Sequence, residues 1–236
     1  MFTGFPRETI AYFLNLRFNN YISFYNETKE AFIRDVKTPF HQFINAMAPT
    51  MLSIDPLIEV RPDKCLARIR RDTRFTKDKS PFRDHLWLLF RRRGESRETC
   101  VMYWFELSPE SMEWGVGFWG ENRAAMNTLR RRMNAEPEHI EQLIASCHLS
   151  QNNLYLAGED GKRIICPGSL PESLRPWYIK KQLYIVKKEM TVQDAYSPEL
   201  SRYVQNDFCI LAPIYQWLRE CADEPLQRDE PVQEYV

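Results

Sequence analysis

The sequence predicts an α+β protein, a single domain in which an antiparallel meander carries helices packed on one face. Three observations predict it. Aromatic and β-branched runs follow one another through the middle of the chain as CLARIRR, HLWLLFRR, ETCVMYWFEL and SMEWGVGFW. GES and SPES separate the last three as hairpin turns do. Segments with helical spacing of apolar residues lie on both sides of this block.

The elements follow in order. PRETIAYFLNLRF opens on Pro6 and places Ile10, Phe13, Leu14 and Phe18 at helical spacing, a helix with Pro at its first turn. NETKEAFIRDVKTPFHQFINAMAPTML predicts a longer helix, capped by Asn26 and broken or kinked at Pro39. Strands are expected at 65–71, 85–92, 98–107 and 112–119, with 72–84 as the loop between the first two. ENRAAMNTLRRRMN lines one helix face with Ala125, Met126, Leu129 and Met133, and EPEHIEQLIASC is a second helix with Pro137 near its start. LYLAGEDGKRIICPGSLPESLRP reads as irregular, QLYIVKKEM as one more strand, and SPELSRYVQNDFCILAPIYQWLREC as a closing helix with Pro213 inside it. The domain is expected over 1–222, and 223–236 as an acidic, Pro-bearing tail on the surface.

Composition excludes several classes. Hydrophobic residues at 44% and aromatics at 13% are too abundant for a disordered chain. No run of apolar residues is long enough to span a membrane, and MFTGFPRETIAYFL lacks the pattern of a signal peptide. Cys65, Cys100, Cys147, Cys166, Cys209 and Cys221 form no C-x-x-C pair and have no zinc-finger spacing with His. They read as reduced packing thiols, and the protein as cytoplasmic.

The formal net charge is zero, but the charge is uneven. Residues 61–93 hold twelve Lys/Arg against four Asp, +8, so the remainder carries −8. The densest stretch is RIRRDTRFTKDKSPFRDH, residues 68–85, with seven Lys/Arg, three Asp and a terminal His85. On a strand over 65–71, Leu66, Arg68 and Arg70 would face one way and Ala67, Ile69 and Arg71 the other. Arginines on both faces must reach solvent or meet anions. Asp72 is within reach of Arg71 or Arg74, and Asp78 of Lys77 or Lys79, which makes an ion-paired staple. Three Asp cannot satisfy seven cations, and the surplus suits phosphate, carboxylate or a nucleic-acid backbone. Phe75, Pro81 and Phe82, set among the charges, would hold the loop rigid against the sheet.

His85, next to Asp84, is a candidate acid/base, or a metal ligand with Asp72 or Asp78. A satisfied structural His is the competing reading. GVGFWG, residues 115–120, matches G-x-G-x-x-G. Its antiparallel setting and its two aromatics argue instead for glycines that permit close backbone approach. Arg91–Arg93 and Arg130–Arg132 read as solvated faces. G-x-S-x-G, P-loop and H-E-x-x-H patterns are absent.

At residues 68–82 the chain resembles a family of bacterial conserved hypothetical proteins of about this length, domain of unknown function 2461. Its signature runs R-x-x-R-D-x-R-F, then Asp/Asn-Lys, then an aromatic, usually Tyr. Here those positions are Arg68, Arg71, Asp72, Arg74, Phe75, Asp78, Lys79 and Phe82. The family's N-N followed by W-F reads as Asn19-Asn20 and then Phe24-Tyr25, and a K-x-P-like run lies around Lys162 to Pro167. The likeness covers nearly the whole chain. Phe82 and Phe24 depart from the pattern, and Phe82 lacks the hydroxyl of the usual Tyr. The resemblance implies a shared fold and brings no activity, cofactor or catalytic residue.

The leading expectation is a protein that binds an anionic, phosphate-bearing small ligand through Arg68, Arg71, Arg74, Asp78 and Lys79. Any phosphoester chemistry would use Asp72 and His85 as acid/base, with a divalent metal as the candidate cofactor. The residues specify no other cofactor. A second expectation is a nucleic-acid module with Phe75 and Phe82 as stacking platforms, against which zero net charge weighs. A third is a non-catalytic structural or interaction protein, its charged loop an internal staple.

Overall fold

The computed structural model describes residues 1–224. Most of the expected acidic tail therefore lies outside the described residues. The helices are α1 (Arg7–Phe18), α2 (Ile22–Glu27), α3 (Lys29–Ala31), α4 (Thr38–Ile54), α5 (Pro62–Cys65), α6 (Arg123–Ala135), α7 (Pro137–Ser146), α8 (Arg175–Tyr178), α9 (Leu200–Ile210) and α10 (Ala212–Asp223). The strands are β1 (Leu86–Phe90), β2 (Val101–Leu107), β3 (Met112–Phe118), β4 (Leu154–Ala157) and β5 (Tyr184–Met190). They form one sheet in the order β1-β2-β3-β5-β4. The fold is α+β with an antiparallel sheet, and its first three strands are the last three of the expected meander. The register of β1 on β2 runs from Leu86 opposite Leu107 to Phe90 opposite Tyr103.

Contacts divide the chain into two compact units. The first comprises Met1–Arg93, Tyr103–Trp114 and Lys187–Cys209. Period-two burial on β1 and β2 gives it one covered face, where Leu86, Leu88, Phe90, Tyr103, Phe105 and Leu107 are buried. α4 packs on that face because Phe40, Phe43, Ile44, Met47 and Met51 recur at helical spacing. Phe105 sits 4.6 Å from Phe43 and 5.9 Å from Phe5, centroid to centroid.

The stretch expected as one long helix winds differently along its length. Asn26 lies inside α2 and caps nothing. Phe32–Lys37 is a π-helical segment, and Pro39 stands at the first positions of α4. Proline has no N–H for the carbonyl four residues back. That carbonyl, Asp35 O, accepts instead from the hydroxyl of the fully buried Thr9.

The strand expected over 65–71 does not form. Pro62 starts a helical turn that takes in Cys65, and only Leu66 and Arg70 make isolated bridges, to Leu88 and Phe82. Pro's preset φ favours the turn over extension.

The second unit comprises Gly94–Met102, Gly115–Val186 and the chain from Ile210. Asn122 caps α6 by accepting from Ala125 N at 3.0 Å. β4 lies where irregular chain was expected. Pro213 starts α10 and splits the expected closing helix in two. Two of the three G-x-G-x-x-G glycines serve close approach. Gly117 has φ +149°, and a Cβ there would lie 2.5 Å from Leu183 O. A Cβ on Gly120 would lie 2.6 Å from Glu98 O.

Candidate functional site

The charged stretch is a narrow hairpin within the first unit. Arg71 N donates to Pro81 O (2.8 Å) and Arg83 N to Ile69 O (2.9 Å). Asn20 clamps its base, donating to Phe82 O at 2.9 Å and accepting from Phe82 N at 3.0 Å. The Arg83 guanidinium donates to Arg68 O and Arg70 O (2.8 and 2.7 Å) and lies over the Trp87 ring. The stretches Asn19–Tyr25 and Arg68–Phe82 thus meet in space.

Beyond the clamp the loop is held by its own polar groups. Asp72 accepts from Arg74 Nε at 3.0 Å, Nη2 at 2.7 Å and backbone N at 3.2 Å. Asp78 accepts from Ser80 N at 2.9 Å and pairs with Arg71. Lys79 Nζ donates to Thr73 O at 2.8 Å. The Arg74 fork holds the Asp72 carboxyl down at about 2, and bonds from Ser80, then Arg71, hold Asp78 at about 2. The Arg74–Asp72 pair stands in water, its side chains 76% and 55% exposed.

The aromatics do not both anchor the loop. Phe75 is 88% exposed, with Arg74 over its ring, while Phe82 is 4% exposed and stacks on Tyr25 at 4.5 Å. Phe82 is therefore unavailable as a stacking platform for a base, and Phe75 anchors nothing. The hydroxyl that Phe82 lacks is carried by the ring stacked on it, Tyr25.

Below the clamp lies a cavity of about 230 Å³ lined by Ile22, Tyr25 and Asn26 of α2 and by Ile69, Arg70 and Phe82 of the hairpin. Among the described residues, no carboxylate lines it. Among the described residues, the Arg70 guanidinium, the Asn26 amide and the Tyr25 hydroxyl have no hydrogen-bond or ion-pair partner in the molecule. Burial raises the Tyr25 phenol, and the Lys37 and Arg70 charges pull the other way. The phenol is thus protonated, a donor, at neutral pH.

The singled-out residues separate into groups. Arg71, Asp72, Arg74, Asp78 and Lys79 belong to the loop network. Arg68 is exposed, and among the described residues its guanidinium has no carboxylate partner. His85 lies with neither Asp72 nor Asp78. Its Nδ1 is 3.0 Å from Asp84 Oδ1, and its ring stacks on Trp87. Asp84 also accepts from Arg17 Nε at 2.5 Å, and Arg17 forks onto Glu110. Burial raises the neighbouring Glu106 carboxyl, opposed by His85 and reinforced by Glu113. Among the described residues, no group of three or more His, Cys, Asp or Glu is arranged to hold a metal ion. All six cysteines are free thiols, and burial pushes Cys65 and Cys221 up to about 12.

Sequence reasoning passed over Tyr25, Asn26, Ile22 and Arg70. The signal was present for two of them. Tyr25 falls in the second motif stretch, and Arg70 stands between the signature arginines.

A family model of conserved hypothetical proteins, DUF2461, matches residues 8–217. The chain belongs to this family. The matched span includes α2 and the hairpin, the two sides of this chain's cavity. No curated protein matches the chain. No helix among the described residues is long and apolar enough to cross a membrane.

Proposed function

We propose that this DUF2461 protein binds a small anionic, phosphate-bearing ligand in the cavity between α2 and the charged hairpin. Arg70 supplies the fixed charge, and the Tyr25 hydroxyl and Asn26 amide supply directed donors. One observation carries the reading: these side chains line a cavity without carboxylates and have no partner in the molecule. The hairpin's other cations support it from a distance. Asp72 and Asp78 satisfy Arg74 and Arg71, so the surplus charge rests on Arg68, Arg70, Lys77 and Lys79. An anion in the cavity approaches through that positive field.

The Asn20 clamp and the Arg83 bonds hold the backbone on either side of Arg70, which lowers the ordering cost of binding. The His85–Asp84 pair does not line this cavity, so the reading is one of binding.

Titration with inorganic phosphate and phosphate monoesters, followed by thermal shift at low and moderate salt, tests it. Wild type is expected to be stabilised. Arg70→Ala should weaken binding at least tenfold, and Arg74→Ala should leave it nearly unchanged. Binding that survives Arg70→Ala would overturn the reading, as would equal losses in both variants.

A further inference from the structure

The anion-binding reading leaves most of the cavity unexplained. At about 30 Å³ of liquid volume per water, 230 Å³ is room for roughly eight waters. An inorganic anion fills only part of that. The volume also falls below the roughly 300 Å³ at which pockets for drug-sized ligands begin. The cavity therefore has room for more than phosphate.

The lining gives the character of the remainder. Ile69 and Phe82 are buried, and the Tyr25 ring is fixed against Phe82 at 4.5 Å with 23° between planes. Ile22 stands at the rim with 51% of its surface in water. It is apolar surface that a ligand in the cavity would cover. The polar groups are few, Arg70, Asn26 and the Tyr25 hydroxyl, and an anionic head would engage them. A sugar body would set further hydroxyls against Ile22, Ile69 and Phe82, where each would lose hydration without gaining a partner. A cationic ligand would find no counter-charge.

Resting on the anion-binding reading, we infer that the ligand is an amphipathic acid, a phosphate head on a compact apolar body without hydroxyls. The head lies at Arg70, Tyr25 Oη and Asn26. The body covers Ile22 and fills the space walled by Ile69, Tyr25 and Phe82.

Isothermal titration of the full chain with three probes tests this: phenyl phosphate, glucose 6-phosphate and inorganic phosphate. Phenyl phosphate should bind at least tenfold tighter than either of the others, with a negative heat-capacity change from apolar burial. Ile22→Asn changes an exposed side chain and should leave the fold intact. It should weaken phenyl phosphate several-fold and leave inorganic phosphate unmoved, while Arg70→Ala weakens both. Equal affinity for the three probes, all lost in Arg70→Ala, would overturn the apolar body and leave the anion site standing. Binding of no probe, or binding indifferent to Arg70→Ala, would overturn both.

Discussion

Two basic segments of the first unit look alike in sequence and differ in the fold. Arg91–Arg93 follow β1, and Arg68–Arg83 form the hairpin. At the first, Arg92 Nε reaches Asp55 Oδ2 at 2.6 Å, and the Asp55 side chain is 3% exposed. The same stretch is tied by backbone bonds, Glu59 N to Arg91 O at 2.8 Å and Arg93 N to Leu57 O at 3.2 Å. At the hairpin, both carboxylates of the loop pairs are more than half exposed, and Arg70 has none. The run expected as a solvated face is structural, and the run expected as a dense charge cluster contains spare cations, Arg70 among them. Burial of the carboxylate decides which arginine is committed, and charge density in sequence does not report it.

The largest expected effect breaks the buried side of this comparison. Asp55→Ala removes a buried carboxylate from Arg92 and the acceptor for Leu57 N, at 3.0 Å. It should cost about 3 kcal/mol, read from urea unfolding. In the same segment Glu59 is held at about 2, chiefly by hydrogen bonds from the Arg61 side chain. Its folded value is depressed, so its contribution is full above the ordinary Glu value of about 4.3 and fades as pH falls toward 2. Glu59→Gln should flatten that part of the acid limb in a stability–pH profile.

Next is the clamp. Asn20→Ala removes two bonds to the Phe82 backbone and should cost about 1 kcal/mol in thermal unfolding. It should also weaken ligand binding, because it frees the hairpin wall of the cavity.

Smaller, and opposite in sign, is Glu106→Gln. Burial raises this carboxyl in the folded state, so the fold prefers it protonated. Stability is lost as pH rises from the ordinary Glu value through the raised one. The variant should melt higher than wild type at pH 7 and match it near pH 3. The smallest effect belongs to Asp72→Ala, whose pair with Arg74 stands in water. Its melting temperature should stay within error of wild type. A marked fall would turn the hairpin into a staple and erase the difference between the two segments.

The meander was legible because hydrophobic alternation and turn residues are local signals, and β1 to β3 fall close to the expected spans. α1 and α4 were legible for the same reason. The strand over 65–71 misled because aromatic and aliphatic content says nothing of a pairing partner, and Pro62 had already committed the chain to a turn. Pro39 was marked as a break or kink, whereas the helix runs on through it from the π-helical segment, and the compensating hydroxyl of Thr9 comes from another helix. The site was half legible. The stretch was right, but the choice of Arg68, Arg71 and Arg74 followed the motif's spacing. Which arginine is left without a carboxylate depends on where Asp72 and Asp78 turn. Tyr25 and Phe82 are 57 residues apart, and only the fold stacks them.

The most direct test follows arginine Nε–Hε resonances during titration with phenyl phosphate. The Arg70 signal, identified by its loss in Arg70→Lys, should shift and saturate while those of Arg74 and Arg92 stay in place. Movement of Arg74 with Arg70 unmoved would contradict the account, as would a spectrum that does not change.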